Sequence, residues 1–422
     1  MVFLCTLALL TLGVVMVSSA GMEIRPLSAA AGTSGIAPIA GPQSLGDSVA
    51  GLVLSKNGLY LALAVLAMAA TAMLPLHRLG ASAAWDGARK HTMALVVLLG
   101  GVVVLTGLIA TSYIPGLKHP VNHSLRWVAI PGFKSLTIQP SEFAKWGALV
   151  VLAAYGAWRM DLMRRFTRGL LPALIAMGFV GAAIAHQDLG TGVLVVAAGS
   201  IVLLAAGARI WHFIMFIPPA AAGIVALIIA NPYRVTRIET FFDAYIQPQK
   251  AGYHMIQSML AVSGGEGFGR GLGFGLQKYG YLPEDTTDFI FAIICEELGI
   301  AGAALVIALY IALLWSGLSI VRRQQSPFLK LFGLGVLSTI GLQALMNLAV
   351  VTGLGPTKGI ALPLISSGGT GWILTAASLG LLIAMDPQDE PAPATTELEL
   401  LPTGLEHAEP VPIEPVFQTV PA

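Results

Sequence analysis

The chain has 422 residues, 56% hydrophobic and 11% charged, with a net charge of +1 and a mean hydropathy of +0.79. Soluble domains carry about 25% charged residues, so this much apolar surface exceeds what one water-facing core can hide, and the solvent for most of it is lipid. The near-neutral charge gives no reason to expect nucleic acid, and Cys5 and Cys295, both in apolar segments, speak against a disulfide framework.

A helix needs roughly 17–25 apolar residues to cross the hydrocarbon, and about ten such windows occur. They lie near 2–20, 58–76, 91–112, 143–158, 170–187, 189–207, 212–230, 289–320, 331–352 and 371–385. Backbone groups in lipid must bond within their own segment, so each is expected to be a helix. The expected fold is all-α: a polytopic integral membrane protein with a large extracytoplasmic loop between helices 7 and 8. One domain is expected over 1–385, followed by a disordered, acidic, Pro-rich tail over 386–422 that lacks Lys and Arg. The first window ends in Ser18-Ser19-Ala20, which resembles a leader cleavage site, but no Lys or Arg precedes Arg25, so a retained span is expected.

Short loops set the orientation. With the N-terminus cytoplasmic, Arg159, Arg164, Arg165, Arg168, Arg209, Arg322 and Arg323 all fall inside, and the outer short loops are poorer in cations. Both termini are then cytoplasmic. The long outer loop 231–288 is nonetheless basic, with Arg234, Arg237, Lys250, Arg270 and Lys278, so its cations are expected to hold a ligand.

Gln139-Pro140-Ser141-Glu142 reads as a helix start, with Ser141 as the expected cap. Lys145 lies three residues past Glu142 on the same face. Glu142 and Lys145 either form an ion pair that lets both sit near lipid, or Lys145 joins Arg126 in a polar cavity that holds an anion; intramembrane ions favour the second. Asp188 either caps the sixth helix or lines that cavity. In the long loop, Gly265, Gly267, Gly269, Gly271, Gly273 and Gly275 alternate without a dinucleotide fingerprint, and are expected to form a hinge or to let backbone approach a ligand. Asp288 sits where the eighth helix begins, either as its cap or as a reactive carboxylate at the membrane surface. Glu296 and Glu297 lie about two turns deeper. Burying them is costly unless they pair, and Lys145 or an Arg on a neighbouring helix is the expected partner. Residues 347–371 carry glycines and prolines that break the helix into a re-entrant loop, with Lys358 as a second candidate anion contact.

Four stretches in this order, QPSEFAK, DLGT at Asp188, GYHMIQS through GLGFGLQKYGYLPEDTTDFIFA to EELG, and GLGPTKGIALPLISSGG, resemble the SEDS proteins, the group containing RodA, FtsW and SpoVE. QK-x-x-YLPE and PTKG look more like the FtsW division branch. The resemblance implies a peptidoglycan glycosyltransferase that polymerises lipid II on the outer face of the cytoplasmic membrane, with a class B penicillin-binding transpeptidase and other divisome proteins as partners. It places the family's essential loop aspartate on Asp288, and its loop Arg and QPSE-x-x-K lysine on Arg126 and Lys145. Three departures stand out: His186-Gln187-Asp188 lacks the usual proline, Thr286 replaces the His of HTDF, and Ser367 replaces the tyrosine of SYGG.

Glycosyl transfer from an undecaprenyl pyrophosphate needs a base, positive charge for the leaving group and a groove for the lipid. Asp288 suits the base; Arg126 and Lys145, with Lys278 or Lys358, suit the pyrophosphate. A divalent cation, Mg or Mn, is compatible with this chemistry, but no ligand cluster in the sequence fixes one. A lipid II flippase and a divisome scaffold working through the tail are the rival functions.

Overall fold

The computed structural model describes residues 1–21, 55–76, 88–114, 118–121, 124–130, 133–250, 252–357, 359–367 and 369–386; for 88, 89, 118–126, 129, 130 and 133–137 it describes the backbone alone where it describes them. The expected tail beyond Asp386, Lys358 and the side chain of Arg126 therefore lie outside the described residues.

Each of the apolar windows falls on a helix. These are α1 (Val2–Ala20), α2 (Lys56–Ala72), α3 (Ala88–Ala110), α4 (Pro140–Trp158), α5 (Leu171–Gln187), α6 (Leu189–Ala205) and α7 (Ile210–Ile229). After two short helices of the long loop, α8 (Pro232–Phe242) and α9 (Tyr253–Gly264), come α10 (Ile290–Arg323), α11 (Pro327–Val351) and α12 (Thr370–Ala384). Six described helices are long and apolar enough to cross a membrane, and α2, α6 and α12 are shorter apolar helices. Val103, Ile175, Ile217 and Trp315 are exposed on their flanks, a surface that suits lipid. The protein is a membrane protein built of helices.

A small sheet stands beside them. β1 (Lys118–Val121), β2 (Ser124–Ile130) and β3 (Phe133–Ile138) form an antiparallel meander, with Lys118 opposite Val128 and Val128 opposite Ile138. SLRWVAI and FKSLTI are rich in the β-branched and aromatic residues that favour strands. The α4 start differs from expectation: the cap position is Gln139, which makes no side-chain cap bond, and its Nε2 donates instead to Ser141 Oγ at 3.0 Å. Pro140 at the first helical position lacks an amide that would have no partner within the helix.

The glycine loop has a different role from the expected hinge or ligand approach. Helix α10 breaks at Gly299 (φ 65, ψ −161). Across the break, Glu296 O and Glu297 O accept from Arg270 N and Gly271 N, both at 3.0 Å, while Ile300 N and Ala301 N donate to Glu266 O and Gly267 O at 3.1 and 3.3 Å. The glycine segment thus replaces the hydrogen bonds that the helix loses, as lipid-depth backbone requires. A Cβ at Gly269 would collide with Glu297 O, and its φ of +77 disfavours other residues.

The clasp also accounts for the paired glutamates. Glu297 accepts from Lys278 Nζ at 2.8 Å, from Ser19 Oγ at 2.7 Å and from Gly273 N at 3.0 Å. Glu296 accepts from Leu276 N at 2.8 Å and Gln277 N at 3.1 Å, with Arg270 at 3.7 Å. The expected partner, Lys145, is not among them: the loop preceding α10 supplies the charges because its own turn folds back on the break. Ser19, in the segment resembling a cleavage site, thereby ties α1 into the bundle.

Gly269→Ala is expected to lower stability by about 3 kcal/mol, combining an unfavourable φ with overpacking against backbone that cannot move aside. Thermal unfolding in detergent measures it, and wild-type stability would show that the loop does not press on the helix.

Candidate active site

Asp288 lies in a turn rather than in α10. Glu284 O accepts from Thr287 N at 3.2 Å and Phe289 N at 3.1 Å, and Thr287 Oγ1 donates to Glu284 Oε2 at 2.8 Å. The cap position of α10 is Phe289, without a side-chain cap bond, so Asp288 stands one residue ahead of it. Its carboxylate faces the re-entrant loop: a Cβ built on Gly359 would lie 2.8 Å from Asp288 Oδ2. A larger residue at 359 would have to push that carboxylate oxygen aside.

Loop and turn are stitched together. Buried Asn347 donates through Nδ2 to Asp288 O and to Ile360 O, both at 2.7 Å, and Ser367 N donates to Thr286 O at 2.9 Å. From α4, Lys145 Nζ reaches Glu142 Oε2 at 2.7 Å and Gln343 Oε1 at 3.1 Å. Gln343 Nε2 in turn donates to Ala361 O at 2.8 Å. Lys145 is 1% exposed, so it meets the loop through Gln343 and keeps Glu142 as its counter-ion.

Asp188 caps α6, its Oδ1 accepting from Thr191 N at 3.1 Å and its Oδ2 from Thr191 Oγ1 at 2.9 Å. The same corner abuts the loop, since a Cβ at Gly190 would lie 2.7 Å from Ile360 Cγ1. Asp288, Asp188 and the Glu142–Lys145 pair, far apart in sequence, are thus gathered around residues 359–361. Lys278 is not gathered with them. Its ammonium is buried in the clasp on Glu297, which withdraws it from the candidate anion contacts. Glu296 and Glu297 likewise hold the clasp and do not face this site.

Three polar residues here, Gln343, Asn347 and His254, were missed in the sequence, and Arg237 was singled out only as a loop cation. Gln343 and Asn347 carry a readable signal, being polar, four residues apart and hence on one face of an apolar helix. Arg237 on α8 donates to Thr357 O at 2.9 Å. His254 on α9 stacks on Phe289 with ring centroids 5.9 Å apart. Burial pushes its imidazole below the usual value, Arg237 pushes it further down and Glu284 opposes them. Among the described residues no group of three or more His, Cys, Asp or Glu converges as a metal site.

Asp285 lies in the same turn. Burial pushes its carboxyl up from 3.8 to about 6, the Thr286 amide opposing and Glu284 adding to the rise. The unfolded chain ionises first, so stability present in acid is lost as pH rises through about 6. Asp285→Asn is therefore expected to be neutral near pH 4 and to stabilise near pH 8, by about 1 kcal/mol after discounting for solvent screening. Thermal midpoints at the two pH values check this; a gain independent of pH would contradict it.

Apolar helices with exposed apolar flanks and a carboxylate facing the loop that precedes α12 define an integral membrane protein with its candidate site at that loop. A family model described as Cell cycle protein, FTSW_RODA_SPOVE, matches residues 1–390, and the chain belongs to this family. It is 37% identical over 286 residues to stage V sporulation protein E of Bacillus subtilis, covering 67% of this chain and 76% of that one. It is 35% identical over 385 residues to a probable peptidoglycan glycosyltransferase FtsW of Thioalkalivibrio sulfidiphilus, covering 90% of this chain and 87% of the relative. Among solved structures, a chain of a peptidoglycan synthase complex superposes with a TM-score of 0.64 at 21% identity, covering 91% of this chain and 96% of that one. RodA of Thermus thermophilus superposes with a TM-score of 0.57 at 22% identity, covering 92% and 97%.

Proposed function

We propose that this protein is a peptidoglycan glycosyltransferase that polymerises lipid II at the outer face of the cytoplasmic membrane during cell division, with a class B transpeptidase as its partner. The single observation that carries the site is the Asp288 carboxylate held against Gly359, off the cap position of its own helix. The names of the relatives at 35–38% identity supply the reaction class.

In this reading Asp288 takes the proton of the acceptor sugar hydroxyl. The freed oxygen attacks the anomeric carbon of the donor, whose bond to the undecaprenyl pyrophosphate breaks, and the pyrophosphate leaves with the electron pair. A single displacement inverts that carbon. Arg126 and Lys358 are the cations proposed for the pyrophosphate, while Lys145, behind Gln343, contributes field rather than contact.

The test is polymerisation of labelled lipid II by purified protein in detergent, with and without the transpeptidase. Glycan chains are expected. Folded protein that yields none in either condition, yet moves lipid II across vesicle membranes, would replace this reading with a flippase.

A further inference from the structure

We propose that Arg237 is a positioning residue: from the outer helix α8, its guanidinium holds the Thr357 end of the re-entrant loop so that Gly359 stays against the Asp288 carboxylate. The proposal rests on the glycosyl-transfer reading above.

The loop has no helix to satisfy its backbone, and it bends through Gly353 (φ 77), Leu364 (φ 66) and Gly369 (φ 47). Its carbonyls need partners brought by other segments. Four described side chains supply them in sequence order: Arg237 at Thr357 O, Asn347 at Ile360 O, Gln343 at Ala361 O and Tyr310 at Pro363 O. Asn347 and Gln343 stand on α11, beneath the loop. Arg237 reaches it from the outer segment, two residues before Gly359.

The chemistry of this contact suits arginine and not lysine. One Nη donates to Thr357 O, the other to Tyr233 Oη, and the guanidinium lies over the Tyr233 ring at 4.5 Å. A planar fork does all three at once; an ammonium has no plane to stack and no second fixed donor. Three residues earlier on α8, Arg234 donates to Ala185 O at 3.1 Å and His186 O at 3.2 Å, carbonyls three and two residues before Asp188. One face of α8 therefore grips both walls of the site.

Losing Arg237 leaves Asn347 and Gln343 in place. The loop stays folded, but its Thr357–Gly359 end is released, and the base loses its fixed wall. Misplacement of about 1 Å at a reacting group costs on the order of 10²-fold in rate.

The experiment compares wild type, Arg237→Ala and Arg237→Lys in polymerisation of labelled lipid II, with thermal unfolding and hydrogen exchange of the peptide spanning 353–362. Both variants are expected to lose about 10- to 100-fold in kcat, with KM within about twofold, an unchanged thermal midpoint and faster exchange in the loop. Rescue by Lys together with a raised KM in Ala would mean that the charge meets the substrate, and overturns positioning. Unchanged exchange in Arg237→Ala also overturns it. If folded wild type makes no polymer, the glycosyl-transfer reading fails on its own account, and the exchange measurement still decides whether Arg237 fixes the loop.

Discussion

Asp288→Asn and Asp288→Ala will both abolish glycan polymerisation, lowering the rate by on the order of 10³-fold or more, while the protein folds and unfolds at nearly the wild-type temperature. General-base removal alone costs about 10²–10⁴ in rate. The unchanged stability follows from local structure. Asp288 precedes the cap position of α10, which is Phe289, and the bond that stitches the turn to Asn347 uses the Asp288 backbone carbonyl, which both variants keep. Asn preserves shape and polarity at Gly359 but cannot accept a full proton, so it separates basicity from packing. Polymer formed by Asp288→Asn at more than a tenth of the wild-type rate would remove Asp288 from the base role. A large fall in unfolding temperature would assign it a structural one.

The second large effect lies in the clasp. Lys278 and Glu297 have fully buried side chains joined at 2.8 Å. Removing one partner of such a pair leaves an uncompensated charge and costs about 3–5 kcal/mol. Glu297→Ala is expected at the upper end, because it also strips acceptors from Ser19 and Gly273 and so loosens α1 and the glycine loop together. Lys278→Met is expected to cost less, since the remaining carboxylate keeps those donors. The double variant Lys278→Met with Glu297→Gln should recover part of the loss, because no net charge is left buried. Unfolding in detergent measures each. A Glu297→Ala protein as stable as wild type would show that the pair is not buried in lipid-depth structure. Arg270, at 3.7 Å from Glu296 and more exposed, is expected to matter far less.

The two carboxylates of EELG show where sequence reasoning reached and where it stopped. Their burial demanded partners, and that demand was readable. The identity of the partners was not, because Lys278 and Ser19 are separated from Glu297 by a loop fold and by most of the chain. Asp188 shows the reverse case. Its cap bond is local, three residues long, and could be written down from the sequence.

Hydropathy by itself determined the helices and their order, since a backbone in lipid has no other way to satisfy its own amides. The motif order determined the family and pointed to Asp288. What only the tertiary structure decided was which polar groups share a space. Lys145 went to Glu142 and Gln343, Lys278 to the broken helix, and Asn347, Gln343 and Arg237 to the loop beside Asp288. Periodicity is a property of neighbours along the chain, whereas the hydrogen bonds that place a loop at membrane depth join segments whose separation in sequence carries no record of their contact.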